Sequence, residues 1–295
     1  MEFPVFSIII PSFNQGEYLE GAIQSVLEQD YSATELLVID GGSIDDSVEI
    51  IKKYSDRLAF WVSEPDSGQS QAINKGFARA SGEIITFLSS DDLYLPGAFA
   101  DVAEIYKREK EVGAIVGAFC FWDPGQSYPG EPITPFLEKP SPCDLTLGPP
   151  SVYRLHQVST FYTRSALDTV GRRVREDMKY VMDRELLYRV CRSFPVALSN
   201  QTYSIFRRHA DSKSVADVLP FAREFGQLYQ DAISGAPQLD HLRRKMAAYR
   251  IARGYVKYAR AIQRFPQSPF AMIRAALLMP SLLTSAGYWR NFFYK

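Results

Sequence analysis

The segment Glu83–Gly97, "EIITFLSSDDLYLPG", joins an apolar run to two adjacent carboxylates, Asp91 and Asp92. Its first half is rich in β-branched and aromatic residues, which favour a buried strand. Ser and Asp after a strand often serve only as turn or cap residues. Pro96, however, is a natural first helical residue, so the cap position would fall on Leu95 and the acids lie too early. We interpret the two acids as functional, with capping as the alternative.

Three further apolar runs precede this segment: "FSIIIPS", "TELLVIDGG" and "RLAFWVSEPD". The residues between them have helical spacing, which places on shared faces Leu19, Ile23, Val26 and Leu27, and then Val48, Ile51 and Tyr54. Strands that alternate with helices predict parallel β-α-β units. Nearly continuous apolar runs predict strands that are covered on both faces. The expected class is α/β, with a Rossmann-like, mixed and mostly parallel central sheet.

Each of the four runs ends in a polar loop, in the order "SFNQG", "DGGSIDD", "EPDSGQS" and "SSDD". Parallel strands bring such loops together at the carboxyl edge of the sheet, where open α/β sheets bind ligands. The loops match neither the dinucleotide fingerprint nor the phosphate-binding glycine loop. Clustered carboxylates suit a divalent cation, Mg²⁺ or Mn²⁺, that holds a diphosphate.

The middle of the chain continues the alternation of predicted strands and helices. "VGAIVGAFCFWD" predicts a fifth strand, and the Pro/Gly-rich stretch from Pro124 to Pro150 predicts either a functional loop or a partly mobile insertion. "STFYTRSALDTVG" predicts a short strand and helix, "YVMDRELLYRVCRSF" an amphipathic helix, and "VALSNQTYSIFRRH" another strand. Only helices are expected from about Val215 onward. The predicted organisation is a catalytic domain over residues 1–214 and a basic helical extension over residues 215–295.

Bulk composition narrows the class of protein. Of 295 residues, 46% are hydrophobic and 23% are charged, which is ordinary for a soluble globular chain. A net charge of −1 argues against a nucleic-acid partner. Cys120, Cys143 and Cys191 are scattered, which favours free thiols in a reducing compartment. The N-terminal residues show no secretory leader, so we expect a cytoplasmic protein.

Charge is distributed unevenly along the chain. Residues 241–295 contain eleven Lys or Arg and no Asp or Glu, whereas the first 240 residues contain 22 basic and 34 acidic residues. On a helix, one cationic stripe would contain Arg250, Arg253, Lys257, Arg260 and Arg264. Such a tail fits peripheral binding to an anionic membrane on its inner face. Packing on the acidic domain, or in a dimer, remains equally open.

Four segments, taken in order, resemble glycosyltransferase family 2: "IIIPSFNQGEYLEGAIQSVLEQ", "ELLVIDGGSIDDS", "DSGQSQAINKGFARASGEIITFLSSDD" and "LYLPGAF". The resemblance covers Phe6 to about Phe99, with weaker similarity to about Ser214. It implies the A-type nucleotide-diphospho-sugar transferase fold, a divalent metal, and transfer with inversion at the anomeric carbon.

The resemblance implies roles for individual residues on the donor side. Pro11 and Ser12 would line the nucleoside pocket, Asp40 would accept a hydrogen bond from the base, and Ser43 lies nearby. The ribose and diphosphate side would be shaped by Gln69, Asn74 and Lys75. For Asn74 and Lys75 the alternative is a solvated helix turn.

The metal site implied by the resemblance consists of Asp91, Asp92 and His209. One of the two acids would ligate the metal on the diphosphate, and the other would hold sugar hydroxyls or a metal-bound water. The chain departs from the family here, because the family's acid-x-acid triplet reads Ser89-Ser90-Asp91. His209 is interpreted as the last metal ligand, and the alternative is a histidine that is merely exposed on the surface.

On the acceptor side, the resemblance makes Asp183 in "YVMDREL" the general base, with Glu185 as a second choice and helix capping as the alternative role. A base must lie within hydrogen-bond reach of the attacking hydroxyl. The position before Asp183, often acidic in the family, is Met182. Gln157 and Ser159 are candidate acceptor contacts.

These features predict an inverting, metal-dependent glycosyltransferase that moves a sugar from a nucleotide-diphosphate donor to a hydroxyl acceptor. The expected setting is bacterial cell-surface polysaccharide or lipid-linked glycan synthesis. A nucleotidyltransferase would need a basic, glycine-rich loop after the first strand, and "PSFNQG" is not one. The remaining alternative is a catalytically weak relative that binds nucleotide sugar and a partner protein, which Ser89 and Met182 leave open.

Overall fold

A computed structural model describes residues 3–109, 111–135 and 155–209, together with positions 212, 224, 227, 228 and 231. The chain divides into two units. The first comprises Met1–Thr146 and Pro150–Arg208, and the second comprises Leu147–Pro149 and His209–Lys295. Within the second unit, positions 224, 227, 228 and 231 are helical. The rest of the predicted extension, including its cationic stripe, lies outside the described residues.

In the described part of the first unit, eight strands form one mixed sheet in the order β3-β2-β1-β4-β7-β6-β8-β5. The strands are β1 (Phe6–Ser12), β2 (Thr34–Asp40), β3 (Phe60–Ser63), β4 (Ile84–Phe87), β5 (Leu93–Tyr94), β6 (Ala114–Trp122), β7 (Thr160–Thr163) and β8 (Val196–Arg207). The helices between them are α1 (Gly16–Leu27), α2 (Ser47–Lys53), α3 (Gln69–Arg79), α4 (Ala98–Arg108), α5 (Arg164–Val170) and α6 (Met182–Cys191). Two short 3₁₀ turns span Ser55–Arg57 and Gln157–Ser159.

The first four strands of the α/β pattern are parallel, as the sequence predicts. β1 pairs with β2 and β4, and β2 pairs with β3. Every residue of β1 is buried, which explains its continuous apolar run. The pairing places Ser12 opposite Asp40, so β1 and β2 end at the same level. Their following loops therefore begin side by side.

The core forms where helices cover this sheet. Phe6 stacks on Phe99 of α4 with ring centroids 4.8 Å apart, and Phe161 of β7 meets both rings edge-on. Helix α3 lies very close to β1, because a Cβ atom at Gly76 would come within 2.4 Å of Ile9 Cγ2. Only a glycine allows this approach of helix to strand.

Two features differ from the sequence expectation. Helix α4 begins at Ala98 after Gly97, whose φ is +83°, so Pro96 precedes the helix and is not its first residue. The prediction of a cap at Leu95 was therefore wrong. The residues after the acid pair, Leu93–Tyr94, instead form a two-residue strand antiparallel to β8. A strand this short has no periodicity to detect.

The remaining predicted elements are present. β6, β7, α5, α6 and β8 occupy the segments that the pattern indicates, and the predicted inward face of α6 is buried at Val181, Leu186, Leu187 and Val190. Cys120 and Cys191 are free and buried, and Cys143 lies outside the described residues. The predicted loop from Pro124 is described only as far as residue 135. None of the helices in the described ranges is long and apolar enough to span a membrane.

Candidate functional site

The loops that follow the first four strands of the fold are joined to one another by hydrogen bonds. Between the first two loops, the Asn14 amide donates to Ser43 Oγ at 2.8 Å, and the Ile44 amide donates to Asn14 Oδ1 at 2.9 Å. The Glu64 amide, at the start of the third loop, donates to the carbonyl of Asp40 at the end of β2 at 3.1 Å. Between the third and fourth loops, Gln69 Nε2 donates to Ser89 Oγ at 3.3 Å. The predicted gathering of four polar loops at one edge is therefore present.

Asp40 organises the loop after β2. Its side chain is completely buried and accepts four hydrogen bonds, from the amides of Gly42 and Ser43 and from the hydroxyls of Ser43 and Ser63. Both carboxylate oxygens are thus occupied within the chain. The predicted hydrogen bond from the base to Asp40 stays a prediction. In this structure Asp40 holds the loop, and Ser43 links it to the first loop.

Pro11 and Ser12 lie buried at the end of β1. Ser12 Oγ has no hydrogen-bond partner among the described residues, although it is inaccessible to solvent. The Ser12 carbonyl accepts from the Gly41 amide at 2.9 Å, which ties the ends of β1 and β2 together. An unpartnered buried hydroxyl is unusual and suits a site that receives a polar ligand. The predicted nucleoside contact of both residues stays a prediction.

Residues at this edge that sequence reasoning missed include Asp66, Phe13 and Ile44. The carboxylate of Asp66 lies against Gly41, where a Cβ atom would meet Asp66 Oδ2 at 3.0 Å. Phe13 is 59% exposed and Ile44 is 94% exposed, so both present apolar surface beside the polar loops. The two adjacent glycines in "DGGS" were the sequence feature that could have predicted a carboxylate packed against the backbone here.

Arg207, the last residue of β8, holds the turn after β4 that contains Asp91 and Asp92, called here the acidic turn. Its amide donates to Asp92 Oδ1 at 3.0 Å, and its guanidinium donates to the Asp91 carbonyl and, at 3.3 Å, to the Tyr18 carbonyl. Asp92 is 1% exposed; burial, followed by the Asp91 charge, raises the pKa of its carboxyl well above the usual value. Asp91 is half-buried. No pattern in the sequence indicates this role of Arg207.

The positions of Asp91, Asp92 and His209 determine which of these residues could bind a metal ion. In the parts of the chain that are described, no group of three His, Cys, Asp or Glu side chains is arranged to hold one. Asp92 is buried against β8, so Asp91 is the acid that fits a ligand role. His209 begins the second unit, where its amide donates to Ser212 Oγ at 3.0 Å. Mg²⁺ commonly takes one or two carboxylates plus substrate phosphates, which Asp91 and a bound diphosphate could supply.

Asn74 and Lys75 of α3 have partners of their own. Asn74 donates to the Val174 carbonyl at 3.0 Å and accepts from the Val174 amide at 2.8 Å, and its Nδ2 also reaches Glu176. It therefore anchors the segment between α5 and α6, which corrects its predicted role at the ribose. Lys75 forms an ion pair with exposed Glu64 at 2.7 Å, so its contact with diphosphate stays a prediction.

The predicted base, Asp183, lies in the first turn of α6 and is half-buried. The N-cap of this helix is Val181, so the capping alternative for Asp183 was wrong. Burial, followed by the Asp183 charge, raises the pKa of the Tyr162 hydroxyl. Glu185 forms an ion pair with Arg189 through both oxygens, at 2.9 and 3.0 Å, and is less suited to act as a base.

The two candidate acceptor contacts behave differently. Gln157 donates through Nε2 to the carbonyl of Phe87, the last residue of β4, and is half-buried near the acidic turn. Ser159 is completely buried and bonds the Ala118 carbonyl and the Ser204 hydroxyl. Its predicted acceptor contact was wrong, because the side chain has no accessible surface. Gln157 stays a candidate.

A mixed α/β sheet with polar loops gathered at the carboxyl ends of its parallel strands is the arrangement in which open α/β folds bind their ligands. The model of the family "Glycosyl transferase family 2" matches residues 7–171, which is more than half of the chain. The chain therefore belongs to glycosyltransferase family 2.

Curated relatives agree with this assignment. The chain is 27% identical over 237 residues to an uncharacterized glycosyltransferase of Rickettsia typhi, covering 77% of this chain and 70% of that one. It is 36% identical over 105 residues to the GalNAc(5)-diNAcBac-PP-undecaprenol beta-1,3-glucosyltransferase of Campylobacter jejuni, covering 34% of each chain. An uncharacterized glycosyltransferase of Nostoc is 34% identical over 112 residues, which are 35% of its length. The chain thus spans about a third of the last two relatives.

Solved structures share the fold. S. aureus TarS 1–349 in complex with UDP-GlcNAc superposes with a TM-score of 0.66 at 16% identity, covering 97% of this chain and 89% of that one. The mannosyltransferase PcManGT of Pyrobaculum calidifontis, in complex with GDP-Man and Mn²⁺, gives a TM-score of 0.61 at 17% identity, covering 100% and 89%. The expected A-type transferase fold is confirmed.

Proposed function

We propose that the protein is an inverting glycosyltransferase that moves a sugar from a nucleotide-diphosphate donor to a hydroxyl acceptor. The observation that carries the proposal is the joining of four polar loops at the carboxyl edge of the sheet, with Asp91 beside them. The Campylobacter relative is named as a glucosyltransferase. The two structural neighbours are described in complex with UDP-GlcNAc and with GDP-Man and Mn²⁺. Bacterial cell-surface polysaccharide or lipid-linked glycan synthesis is the proposed setting.

The donor's diphosphate has a natural place between α3 and the acidic turn. Helix α3 begins at Gln69, has no acidic residue in its first turn, and contacts Ser89 through that residue. The N-terminus of a helix carries partial positive charge and unpaired amides, both of which favour phosphate. Asp91 lies two residues beyond Ser89. A divalent cation, when bound there with the diphosphate, would stabilise charge on the leaving group.

The chain's own residues supply the proton transfer on the acceptor side. We propose that Asp183 takes the proton from the acceptor hydroxyl as that oxygen forms its bond to the anomeric carbon. The bond from the anomeric carbon to the diphosphate oxygen breaks at the same time, and the electron pair leaves with the nucleoside diphosphate. Attack from the side opposite the leaving group inverts the anomeric configuration. Gln157, near the end of β4, is the proposed acceptor contact.

The test measures nucleoside diphosphate release from a panel of donor sugars with Mn²⁺ or Mg²⁺, for the wild type, Asp91→Asn and Asp183→Asn. A general base contributes roughly 10²–10⁴-fold, so Asp183→Asn is expected to lower kcat by at least that lower bound. Asp56→Asn, at an exposed position in the Ser55–Arg57 turn, is the matched control and should retain activity.

Three results would contradict the proposal. Turnover that is insensitive to both Asp91→Asn and Asp183→Asn would remove the assigned roles. Donor binding without any turnover by the wild type would instead support the alternative of a catalytically weak, partner-binding relative. Retention of the anomeric configuration in the product, read by NMR, would overturn the inverting mechanism.

A further inference from the structure

The peptide unit that joins Asp91 to Asp92 is held at both of its polar groups. The Asp92 amide donates to the Ser89 carbonyl at 3.0 Å and closes the acidic turn. The Asp91 carbonyl, on the opposite side of the same peptide unit, accepts a hydrogen bond from Nε of Arg207. Because a peptide unit is planar, these two bonds fix its orientation and constrain the direction in which the Asp91 side chain leaves the backbone.

The half-buried side chain of Arg207 connects this turn to helix α1. Its Nη2 donates to the Tyr18 carbonyl at 3.3 Å, and the guanidinium lies over the Tyr18 ring, 5.0 Å from the ring centroid. The donors of a guanidinium point in fixed directions from one plane. Arg207 can therefore hold the carbonyls of Asp91 and Tyr18 at a set separation.

The backbone and the side chain of Arg207 act on different acids. The bond from the Arg207 amide to Asp92 Oδ1, at 3.0 Å, forms whatever side chain stands at position 207. The bond to the Asp91 carbonyl requires the guanidinium. A change of the Arg207 side chain should therefore leave Asp92 in place and loosen Asp91, which is the acid that fits a metal-ligand role.

The charge of Arg207 and its hydrogen bonds have opposite effects on a cation at Asp91. A positive guanidinium near this acid repels a second positive charge, so charge alone would weaken cation binding. The hydrogen bonds, by contrast, orient the residue that supplies the ligand. Groups that orient a metal ligand are commonly worth about ten- to a hundredfold in metal affinity.

We infer that Arg207 is a positioning residue, whose side chain holds the acidic turn so that Asp91 can bind the divalent cation that accompanies the donor diphosphate. The orienting effect exceeds the repulsion between the two positive charges. This inference rests on the proposed function, since the cation belongs to the donor complex of that reaction. Arg207→Lys keeps the charge but cannot reproduce the paired hydrogen bonds, so it isolates the orienting effect.

Arg208, the next residue along the chain, offers a matched control. Its guanidinium bonds both oxygens of Asp123, at 2.5 and 2.6 Å, and lies over the Phe121 ring at 4.2 Å from the centroid. These contacts are made at the end of β6 and not at the acidic turn. Arg208→Lys therefore also keeps the charge and disrupts a two-point contact of arginine, but at a place where no cation is proposed.

The experiment is calorimetric titration of the full-length protein with UDP and with GDP, in excess Mn²⁺ and again in EDTA. The ratio of the two dissociation constants is the gain in nucleotide affinity that the cation produces, and linkage makes this coupling reciprocal. We expect the wild type to show such a gain. Arg207→Lys should lower the gain by about tenfold or abolish it, while affinity in EDTA changes by less than about twofold. Arg208→Lys should leave both quantities unchanged.

Arg207→Gln tests the sign of the effect and replaces the lysine variant if that variant does not fold. Removal of the positive charge alone would increase the gain from Mn²⁺, whereas loss of the orienting bonds would decrease it. We expect a decrease. The electron paramagnetic resonance spectrum of bound Mn²⁺ depends on the arrangement of its ligands. It should change in both Arg207 variants and not in Arg208→Lys.

Four outcomes would overturn this inference alone, because in each the wild type still gains affinity from Mn²⁺. They are an unchanged gain in Arg207→Lys, an increased gain in Arg207→Gln, an equal loss of affinity in Mn²⁺ and in EDTA, and the same loss of gain in Arg208→Lys. A wild type that binds nucleotide without any gain from Mn²⁺ would overturn the metal dependence of the proposed function as well. A wild type that binds neither nucleotide under either condition would contradict the proposed function itself.

Discussion

At the scale of single residues, several carboxylates in this protein act as structural centres. Glu35, at the start of β2, accepts from the Ser81 amide at 2.6 Å, the Ser81 hydroxyl at 2.8 Å and the Gly82 amide at 3.3 Å, and also from the Ser7 hydroxyl. Like Asp40, it ties together segments that are distant in the sequence. Residue type alone would predict that Glu35 and Asp40 are exposed to solvent or lie in the active site.

Glu35 gives a prediction of pH dependence. Burial tends to raise the pKa of its carboxyl, but the hydrogen bonds from Ser7, Ser81 and Gly82 outweigh burial and lower the pKa below 4.5. Because the folded pKa is depressed, the stabilisation is present above the unfolded pKa and is lost as pH falls through the folded pKa. Glu35→Gln should cost about 1 kcal/mol at pH 7, allowing for solvent exposure, and less at pH 3.

Urea unfolding of the wild type and Glu35→Gln between pH 3 and pH 7 measures this difference. Glu49→Gln, an exposed acid of α2, is the control and should show a small effect at every pH. A difference between wild type and Glu35→Gln that grows as pH falls would contradict the assignment.

At the scale of helices and strands, the close approach of α3 to β1 depends on Gly76. Alanine is normally the better helix former, by about 1 kcal/mol. At this position, however, the added methyl would lie 2.4 Å from Ile9 Cγ2, inside a buried contact. Gly76→Ala is therefore expected to lower the free energy of unfolding by roughly 1–3 kcal/mol. Gly130→Ala, whose Cβ would meet nothing closer than 3.4 Å, is the control. A more stable Gly76→Ala variant would show that the helix can shift freely.

The segment between α5 and α6 depends on Asn74. Its side chain both donates to and accepts from the Val174 backbone, so Asn74→Ala should destabilise the fold by about 1–2 kcal/mol. Nucleotide affinity should not change, because the amide groups are used within the chain. Thermal unfolding and UDP titration measure the two quantities, with Asn200→Ala, at an exposed position of β8, as the control. Loss of nucleotide affinity with normal stability would instead favour the ribose contact.

The parallel half of the sheet could be predicted because each of its strands is a continuous apolar run followed by a turn-rich loop. The strand β5 and the position of β7 in the sheet could not be predicted, since the partners of both strands lie far away in the sequence and pair with them only through tertiary packing. The candidate site divides in the same way. Asp91 and Asp183 could be predicted because they lie at the end of a strand and at the start of a helix. The contacts of Asp66 and Arg207 could not, because they form only when loops that are distant in the sequence meet.

At the scale of the whole molecule, the basic tail and the acidic remainder suggest a surface-bound enzyme. We expect the full-length protein to float with vesicles that contain anionic lipid and not with neutral vesicles. Each basic residue near an anionic surface contributes about 1 kcal/mol. Binding should therefore weaken strongly when Gln replaces Arg250, Arg253, Lys257 and Arg260.

The matched variant for this flotation assay replaces four exposed cations of the first unit with Gln: Lys52, Lys53, Arg108 and Arg192. It has the same net charge as the tail variant and should still float. If both variants float equally, or if neither full-length protein nor variant distinguishes the two lipid mixtures, the tail has another partner.

The pairing of β5 with β8 has a consequence for synthesis on the ribosome. Leu93 lies opposite Ile205, so more than a hundred residues must be translated before the strand after the acidic turn finds its neighbour. β1 to β4 can assemble earlier, because their contacts are nearer in the sequence. A nascent chain halted before β8 would thus leave the turn at Asp91 and Asp92 without the Arg207 hydrogen bonds that hold it, so this turn is completed only after residue 207 has been translated.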